Sequence, residues 1–199
     1  MKEEFKVIAN LIEENTRVLD VGCGDGTLMD YLKKNKNIDP RGLELSKRKI
    51  QESLGKGLSV KEGNAETDLK QFPDKSFNYA ILSQTLQAFY NPEKVLDELL
   101  RVANIAIITI PNFAHINVRL QLLIKGKMPV TKNLPDEWYN TQNLHRCSIK
   151  DFFEFCDKKN LNLFKALTNK NQKISEINKR NLFSKNLFSE LGIFLIKKK

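Results

Sequence analysis

The 199-residue sequence is poor in the residues that cross-link or anchor a chain. Its three cysteines, Cys23, Cys147 and Cys156, are too few and too scattered for a disulfide framework or a zinc site. No run reaches the roughly 18–20 apolar residues that a membrane span requires. The first residues, MKEEFKVIANLIEEN, lack the continuous apolar segment of a signal peptide. These absences predict a protein of the reducing cytoplasm, with no metal and no membrane partner.

Arginine is also scarce, although the chain is basic. There are 26 lysines but only 7 arginines, and the net charge of +9 lies almost entirely in residues 157–199, which hold 11 Lys and Arg against 3 Asp and Glu. Nucleic-acid surfaces favour arginine because it makes bidentate contacts. We therefore expect no nucleic-acid partner. The basic stretch is typical of a solvated surface, with a patch for an acidic partner as the alternative.

What the sequence does contain is a regular alternation of strand and helix patterns. Apolar runs predict strands over residues 17–22, 41–46, 58–63, 77–83 and 105–110, and helical spacing predicts helices over 3–14, 27–34, 47–55 and 92–102. Repeated β-α-β units imply a parallel sheet with helices on both faces. With 41% hydrophobic and 29% charged residues, the composition fits one globular domain over residues 1–199.

Residues 111–147 interrupt the alternation, and we name them the lid segment. Within it, residues 116–126 predict a short amphipathic helix, and the rest reads as a long loop. The sequence SIKD at 148–151 fits a capping box that opens another helix. Two apolar runs near the end, 161–167 and 191–196, predict an antiparallel strand pair at one edge of the sheet.

The stretch VLDVGCGDGTL, residues 18–28, indicates a nucleotide-binding loop. Gly22, Gly24 and Gly26 follow a predicted strand and precede a predicted helix, the context in which such glycines bind ligands. A dinucleotide fingerprint would have its third glycine where Thr27 stands. A triphosphate loop would end in Gly-Lys-Ser/Thr, and no lysine occurs between the loop and Lys33. Neither phosphate-binding pattern is matched.

Acidic residues around the loop point to a cationic ligand. Asp20 precedes the turn and Asp25 lies within it. Two carboxylates would repel a pyrophosphate, since unit charges about 4 Å apart interact by roughly 4 kcal/mol near a protein surface. S-adenosyl-L-methionine carries an ammonium and a sulfonium and has no phosphate, and its carboxylate can accept N–H groups at a helix start. The loop therefore favours S-adenosylmethionine.

Polar residues end the next two predicted strands. Glu44 ends the second strand, where an acid can accept hydrogen bonds from both ribose hydroxyls. An acid there also suits a dinucleotide, so Glu44 by itself does not discriminate between cofactors. After the third strand, Asn64 could accept a hydrogen bond from the adenine amine, and the backbone of Ala65 could serve the ring. Each of these residues also has an ordinary structural use, as a solvated acid or a turn cap.

These motifs, VLDVGCGDG, LELS, GNAE and FPDKSFNYAILSQTLQ, resemble those of class I S-adenosylmethionine-dependent methyltransferases. The resemblance implies an α/β, Rossmann-like three-layer αβα fold with a mostly parallel seven-stranded sheet, strand order 3-2-1-4-5-7-6, and an antiparallel C-terminal strand pair. It also implies bound S-adenosylmethionine or S-adenosylhomocysteine. The implied cofactor-binding residues are Asp20, Gly22, Gly24, Glu44, Leu45, Asn64, Ala65 and Ser83.

A narrower resemblance covers most of the chain. The stretches ILSQTLQAFYNPEKVLDELLRV, PNFAHINVRLQLLIKGKMPVTKNLPDEWYNTQNLH and NLFSELGIFLI are similar to the MetW family of methionine biosynthesis, and the second of them includes the lid segment. This resemblance implies a protein that supports or activates a homoserine O-acyltransferase, the enzyme that transfers an acetyl or succinyl group to homoserine. It also implies that the protein contacts this enzyme directly as its partner.

Methyl transfer from a sulfonium needs mainly alignment and exclusion of water. An oxygen or nitrogen acceptor can also need a base, for which the candidates are His115, Tyr139 and His145. The histidines have structural readings too, and Trp138 with Tyr139 could cover a cofactor, line an acceptor pocket or anchor a protein. Because the fourth strand ends in Ser83-Gln84 and no Pro-Cys pair occurs, DNA methylation is disfavoured.

Two functions follow from this pattern. One is an interaction protein that binds the cofactor or its demethylated product and contacts the acyltransferase through the apolar stretch RLQLLIKGKMPV and the aromatic EWY of the lid segment. The other is an active methyltransferase whose small-molecule acceptor lies under the lid segment. The resemblance favours the first.

Overall fold

The computed structural model describes residues 3–131, 133–170 and 173–199. The helices are α1 Glu3–Leu11, α2 Thr27–Lys36, α3 Lys47–Gly55, α4 Ala65–Asp68, α5 Pro92–Val102, α6 Ile116–Lys125, α7 Ile149–Lys158 and α8 Leu182–Phe188. The strands are β1 Arg17–Val21, β2 Asp39–Glu44, β3 Ser59–Glu62, β4 Phe77–Ser83, β5 Ala103–Pro111, β6 Asn162–Lys170, β7 Lys173–Glu176 and β8 Leu191–Lys197.

The strands form a single mixed sheet in the order β3-β2-β1-β4-β5-β8-β6-β7. The first five strands are parallel, whereas β8 is antiparallel to both β5 and β6. The predicted parallel sheet with antiparallel C-terminal strands is confirmed. The predicted order 3-2-1-4-5-7-6 is also found, with β8 as the seventh strand of that scheme and β6 as the sixth.

The described sheet has eight strands rather than the seven expected. The additional strand, β7, pairs antiparallel with β6, so β7 and not the predicted strand pair forms that edge. The helix α8 follows it, within residues that the sequence analysis treated only as a polar connection. A strand of four residues is too short for its hydrophobic pattern to show a period of two. It forms because it pairs with β6, which the pattern of one segment does not reveal.

Apolar side chains cover both faces of the sheet. In β1 the neighbouring residues Val18 and Leu19 are both buried but belong to opposite layers. The layer around Leu19 includes α5 and α7, and the layer around Val18 includes α1 and α2. A parallel sheet covered on both faces explains why its strands read as nearly continuous apolar runs. All four carboxyl ends of β1–β4 therefore meet at one edge, where the crossovers to the helices begin.

The lid segment starts and ends on one buried side chain, Asn112. Its Nδ2 donates to the carbonyls of Asn186 and Ser189 at 2.6 and 2.7 Å, while its Oδ1 accepts from the N–H groups of Ala114 and Ile149 at 3.0 and 3.4 Å. Asn112 is only 2% exposed. A single amide thus fixes the entry of the segment, the start of α7 and the end of α8.

Other elements around the lid segment agree with the sequence. The helix predicted over 116–126 is α6. The predicted capping box is also present, because the Ser148 hydroxyl accepts from the N–H of Asp151 and the Asp151 carboxylate accepts from the N–H of Ser148. Reciprocal capping of this kind satisfies two N–H groups that the first turn of a helix leaves unpaired.

Candidate functional site

The glycine loop connects β1 to α2 through three residues with positive φ. Gly22, Gly24 and Gly26 have φ of 70°, 60° and 74°, a region that side chains rarely adopt. A Cβ at Gly22 would lie 2.7 Å from a methyl group of Thr85, and one at Gly26 would lie 2.5 Å from Leu58. A Cβ at Gly24 would meet nothing within 4 Å. The loop is therefore packed on both sides of Gly24 and open where a Gly24 Cβ would stand, which lets a ligand approach there, while the Gly24 N–H and carbonyl bond Glu44 and Ser53.

Glu44, at the end of β2, holds this loop. Its Oε2 accepts the N–H of Gly24 at 2.8 Å, and its Oε1 accepts the N–H groups of Leu45 and Ser46 at 3.0 and 2.9 Å. The residue is 8% exposed. Its carboxylate thus joins the glycine loop to the turn before α3. A carboxylate oxygen can accept more than one hydrogen bond, so Oε2 still has a lone pair for a ligand hydroxyl.

Asp20 is the other buried acid of the site. It is 2% exposed, and within the described residues its carboxyl has no hydrogen-bond partner. Burial, and to a smaller extent the negative charge of Glu44, raise the pKa of Asp20 from 3.8 to about 7. At pH 7 Asp20 is therefore about half protonated. A cation placed beside Asp20 would favour its ionised form.

Asp25 has a different role from the one expected. Its Oδ1 accepts the N–H of Thr27, its Oδ2 accepts the Thr27 hydroxyl at 2.6 Å, and Lys56 Nζ lies 3.0 Å from Oδ2. The Thr27 hydroxyl bond, followed by Lys56, lowers the pKa of Asp25 to about 2. Its charge is neutralised by Lys56 and stabilises the start of α2. The negative potential of the site therefore comes from Asp20 and Glu44, and the repulsion assigned to Asp25 in the sequence analysis is overestimated.

Asn64 and Ala65 lie at the carboxyl end of β3, at the start of α4. Asn64 is the N-cap of that helix, because its Oδ1 accepts the N–H of Glu66 at 2.9 Å. One of the two lone pairs of this Oδ1, the acceptor expected to face an adenine amine, is thus used by the cap. Ala65 is buried, and its N–H, at the first position of the helix, points out of the helix ladder. The backbone N–H of Ala65 is consequently free for a ring acceptor.

Leu45 and Ser83 occupy contrasting environments. The Leu45 side chain is 65% exposed, an unusual position for a leucine beside a buried acid, and suits contact with a flat apolar ligand. The Ser83 hydroxyl, at the end of β4, donates to Oε1 of Glu4 at 2.9 Å, and the Gln84 side-chain amide donates to the other oxygen of the same carboxylate. Ser83 is thus already paired with α1.

Glu4 is a residue of this edge that sequence reasoning missed. It is 6% exposed, although it is charged and lies one residue into α1. The available signal was its spacing: Glu4 stands four residues before Ile8 and therefore on the apolar face of the helix. An acid on such a face is rarely buried unless it has partners. Its partners are the two residues that follow the apolar part of β4.

The candidate bases do not converge on one point. His115 is the N-cap of α6, and its Nδ1 accepts the N–H of Asn117 at 3.2 Å. His145 lies against the loop after β4, with Nε2 3.3 Å from the carbonyl of Tyr90. Tyr139 is 71% exposed and packs edge-on against Trp138, with ring centroids 5.7 Å apart. Both histidines thus make local hydrogen bonds within the fold, and Tyr139 lies on the protein surface.

The lid segment encloses little space and exposes much apolar surface. A cavity of about 20 Å³ lies among Phe113, Val118, Trp138 and Arg146, with room for about one water molecule. The exposed surface includes Leu123, Ile124, Trp138 and Tyr139, which are between 67% and 81% exposed. We name these four residues the lid apolar surface.

The described residues contain no group of three His, Cys, Asp or Glu side chains placed to hold a metal ion. The part of the chain described by the structure also contains no helix long and apolar enough to cross a membrane.

Comparison with known proteins identifies a family over nearly the whole chain. Residues 2–196 match the family described as methionine biosynthesis protein MetW. One curated relative is the bifunctional methionine biosynthesis protein MetXA/MetW of Rhodopirellula baltica, 32% identical over 153 residues. The match covers 72% of this chain and 25% of the relative, so the chain spans about a quarter of that protein's length.

Solved structures of the same fold share much less sequence. A SAM-dependent methyltransferase of Thermotoga maritima is similar with a TM-score of 0.72 and 20% identity, over 99% of this chain and 88% of that one. The [4+2]-cyclase SpnF is similar with a TM-score of 0.67 and 16% identity, over 98% and 80%. At these identities the similarity establishes the fold alone. That fold supports different activities, as these two names show.

Proposed function

The chain belongs to the MetW family, and on that premise we propose that it binds S-adenosylmethionine or S-adenosylhomocysteine and supports a homoserine O-acyltransferase by direct interaction. The fused relative carries this proposal, because it joins a MetW part to a MetXA part in one polypeptide. We take the MetXA part to be the acyltransferase. Fusion keeps two modules at an effective concentration of about millimolar, which favours pairs that act in contact.

The glycine loop supports the choice of cofactor. Gly24 leaves open space where a Cβ would stand, Glu44 keeps a lone pair for a ribose hydroxyl, and the Ala65 N–H, at the first position of α4, suits a ring acceptor. Buried acids beside the loop suit the ammonium and sulfonium and disfavour a pyrophosphate. The pattern is that of a site for a cationic adenosine compound without phosphate.

Calorimetry with four ligands tests this cofactor assignment. We expect saturable binding of S-adenosylmethionine and S-adenosylhomocysteine and no binding of NAD or ATP at the same concentrations, because only the first pair lacks a phosphate. Tight binding of NAD or ATP without binding of the sulfonium or thioether compounds would refute the assignment.

The lid apolar surface supports the choice of a protein partner. Leu123, Ile124, Trp138 and Tyr139 lie within one segment that connects β5 to α7. Aromatic residues are enriched at the centres of interfaces, where Trp and Tyr contribute most of the binding energy. Contiguous exposed apolar surface on a monomer marks an interaction site, and here Leu123 adjoins Ile124 in the sequence and Trp138 packs against Tyr139. We place the acyltransferase contact here.

Replacing Leu123 and Ile124 together by serine should weaken binding of the acyltransferase at least about tenfold, since two anchors of about 1 kcal/mol each would be lost. The measurement is co-purification of the two co-expressed proteins, followed by an acyl-transfer assay with and without this chain. Melting temperature and S-adenosylhomocysteine affinity should stay unchanged, because both side chains are solvent-exposed.

The matched control is Phe183→Ser, which removes an exposed apolar side chain of α8, outside the lid segment. It should leave the complex intact. If the unaltered chain forms no complex with the acyltransferase and does not change acyl transfer, the proposed partner is wrong. If both serine variants weaken the complex equally, the contact lies elsewhere.

Methyl transfer to a small molecule is the alternative, and the fold favours it. The lid segment does not: its cavity of about 20 Å³ is far below the roughly 300 Å³ of ordinary ligand pockets, and both histidines are engaged in local hydrogen bonds. Incubation with methyl-labelled cofactor and cell metabolites tests this function. A labelled product that requires the protein would establish it.

A further inference from the structure

A second cavity lies at the opposite edge of the sheet from the glycine loop. It has a volume of about 330 Å³, and we name it the amino-edge pocket. Its wall includes the cations Arg17, Arg41 and Lys61 and the apolar residues Phe72, Pro73 and Phe77. Arg17 begins β1 and Phe77 begins β4, so the pocket lies about 13 Å of strand away from the residues that end β1.

The pocket exists because the crossover from β3 to β4 is short. This crossover contains only the four-residue α4 and a 3-10 turn over Leu69–Gln71 before β4 starts. On the same face, Arg41 pairs with Ser59 and Leu43 pairs with Lys61 in the β2–β3 register. About two turns of helix cannot cover the full length of these strands. Arg41, the third residue of β2, and Lys61, the third residue of β3, therefore stay reachable from solvent.

Positive charge in the pocket is incompletely balanced. Within the described residues, no Asp or Glu lines the cavity. Asp39, beside it, pairs with both arginines, with Oδ atoms 3.4 Å from Arg17 Nε and 3.2 Å from Arg41 Nη2. Lys61 has only the neutral acceptor Oε1 of Gln71. The pocket thus has three cations and one neighbouring carboxylate, which pairs with the two arginines.

Arg41 also carries an unsatisfied donor. Its Nη1 donates to the Ser59 hydroxyl at 2.9 Å, but its Nε is buried and has no hydrogen-bond partner. Buried donors of this kind cost free energy and are rare in native proteins. A guanidinium presents its Nε and Nη groups side by side and binds a phosphate or carboxylate through two parallel bonds. In Arg41 the Nη2 group beside this Nε already pairs with Asp39, so an anion that bound the fork would take the place of that carboxylate.

The apolar wall is held in place by the same cations. The Arg17 guanidinium lies 5.0 Å from the ring centroid of Phe77, and Lys61 Nζ lies 5.7 Å from that of Phe72. The two rings pack edge-to-face at 5.6 Å. These contacts order the cations before any ligand binds, which reduces the entropy lost on binding.

We propose that the amino-edge pocket binds a small organic anion, with its phosphate or carboxylate on Arg17 and Arg41 and its apolar part against Phe72 and Pro73. The volume is within the range of small-molecule sites. Because Arg17 begins β1 and Arg41 lies three residues before the end of β2, an anion on these two groups is not a reactant at the glycine loop. It occupies a site of its own.

Calorimetry with phenyl phosphate and phenylacetate tests the proposal and distinguishes the two head groups, with benzyl alcohol as the neutral probe. We expect saturable binding of at least one anion and none of benzyl alcohol. Arg41→Gln should weaken that binding at least about tenfold, because it removes the charged fork. Arg48→Gln is the matched control: Arg48 is exposed on α3 and paired with Glu52, outside the pocket, so its loss should have no effect.

A competition arm separates this pocket from the glycine loop. Saturating phenyl phosphate or phenylacetate should leave the affinity for S-adenosylhomocysteine unchanged. The proposal is overturned if neither anion binds, if Arg41→Gln binds them as well as the unaltered chain does, or if they compete with S-adenosylhomocysteine. A melting temperature of Arg41→Gln close to that of the unaltered chain, measured without anion, confirms that weaker binding is not a folding defect.

Discussion

Replacing Asp20 by asparagine should stabilise the ligand-free protein at about pH 8 and abolish its preference for a cationic cofactor. The pKa of Asp20 is raised from 3.8 to about 7 by burial and by Glu44. The folded chain therefore holds a proton that the unfolded chain releases above pH 4. The contribution of Asp20 to the free energy of unfolding is fully present below about pH 4, falls as pH rises to about 7, and is absent above it.

The size of this effect follows from the shift. At 1.36 kcal/mol per pKa unit, about three units amount to about 4 kcal/mol, and relaxation of the site would reduce this figure. Chemical denaturation at about pH 4 and pH 8 measures it: the variant should be more stable than the unaltered chain at the higher pH, with a smaller difference at the lower pH. Equal differences at both values would contradict the raised pKa.

Cofactor binding should change in the opposite direction. In the unaltered chain, affinity for S-adenosylmethionine should rise about tenfold between about pH 6 and pH 8, because a cation binds the ionised form of Asp20. Asp20→Asn should bind more weakly and without this dependence on pH. Asp25→Asn is the matched control in the same loop. Because the pKa of Asp25 is lowered to about 2, its loss should reduce stability near neutral pH, not increase it.

Replacing Glu44 by glutamine should damage both the loop and the cofactor site. Its carboxylate accepts the N–H groups of Gly24, Leu45 and Ser46, and an amide turns one acceptor oxygen into a donor that faces an N–H. A buried donor left unpaired costs about 1–3 kcal/mol of stability, and loss of the ribose contacts should weaken cofactor binding by a similar amount, about 5–150-fold. Thermal unfolding and calorimetry measure the two effects.

Glu62→Gln is the control for Glu44. Glu62 ends the neighbouring strand β3, is exposed, and faces only Lys47 at 3.8 Å. Its replacement should leave stability within about 0.5 kcal/mol and cofactor affinity unchanged. If Glu44→Gln retains full affinity for S-adenosylmethionine, the glycine loop binds something else or binds it differently.

The sequence predicts the first five strands well because β1, β4 and β5 carry apolar runs of their own, although β3, Ser59–Glu62, is mostly exposed and has none. The bounds of α3, β4 and α5 coincide with the predicted ranges, and the strand order follows the family resemblance. The polar stretch before β8 lacks such a signal. The hairpin strand β7 and the helix α8 form there because β6 and α7 provide surfaces to pair and pack with, and a pattern confined to one segment does not reveal them.

The candidate site is predictable only in part, for a related reason. Glycine spacing and the acid at the end of β2 are local features, so the sequence singles out Gly24 and Glu44, which the fold brings into contact. The pairing of Glu4 with the end of β4 joins residues about 80 positions apart, and no local pattern reports it. Likewise the charge of the loop acid Asp25 is paired with Lys56, the residue that directly follows α3, and no local pattern reports this pair.

The Asn112 amide has a consequence for the length of the lid segment. Its Nδ2 donates to two carbonyls of the scaffold, its Oδ1 accepts the N–H groups of Ala114 and Ile149 near the two ends of the segment, and the N–H of Phe113 donates to the carbonyl of Cys147 across the base. These bonds close the lid segment at its base, beside the sheet. The residues between Phe113 and Cys147 can therefore change in length or sequence without altering the register of the strands in the sheet.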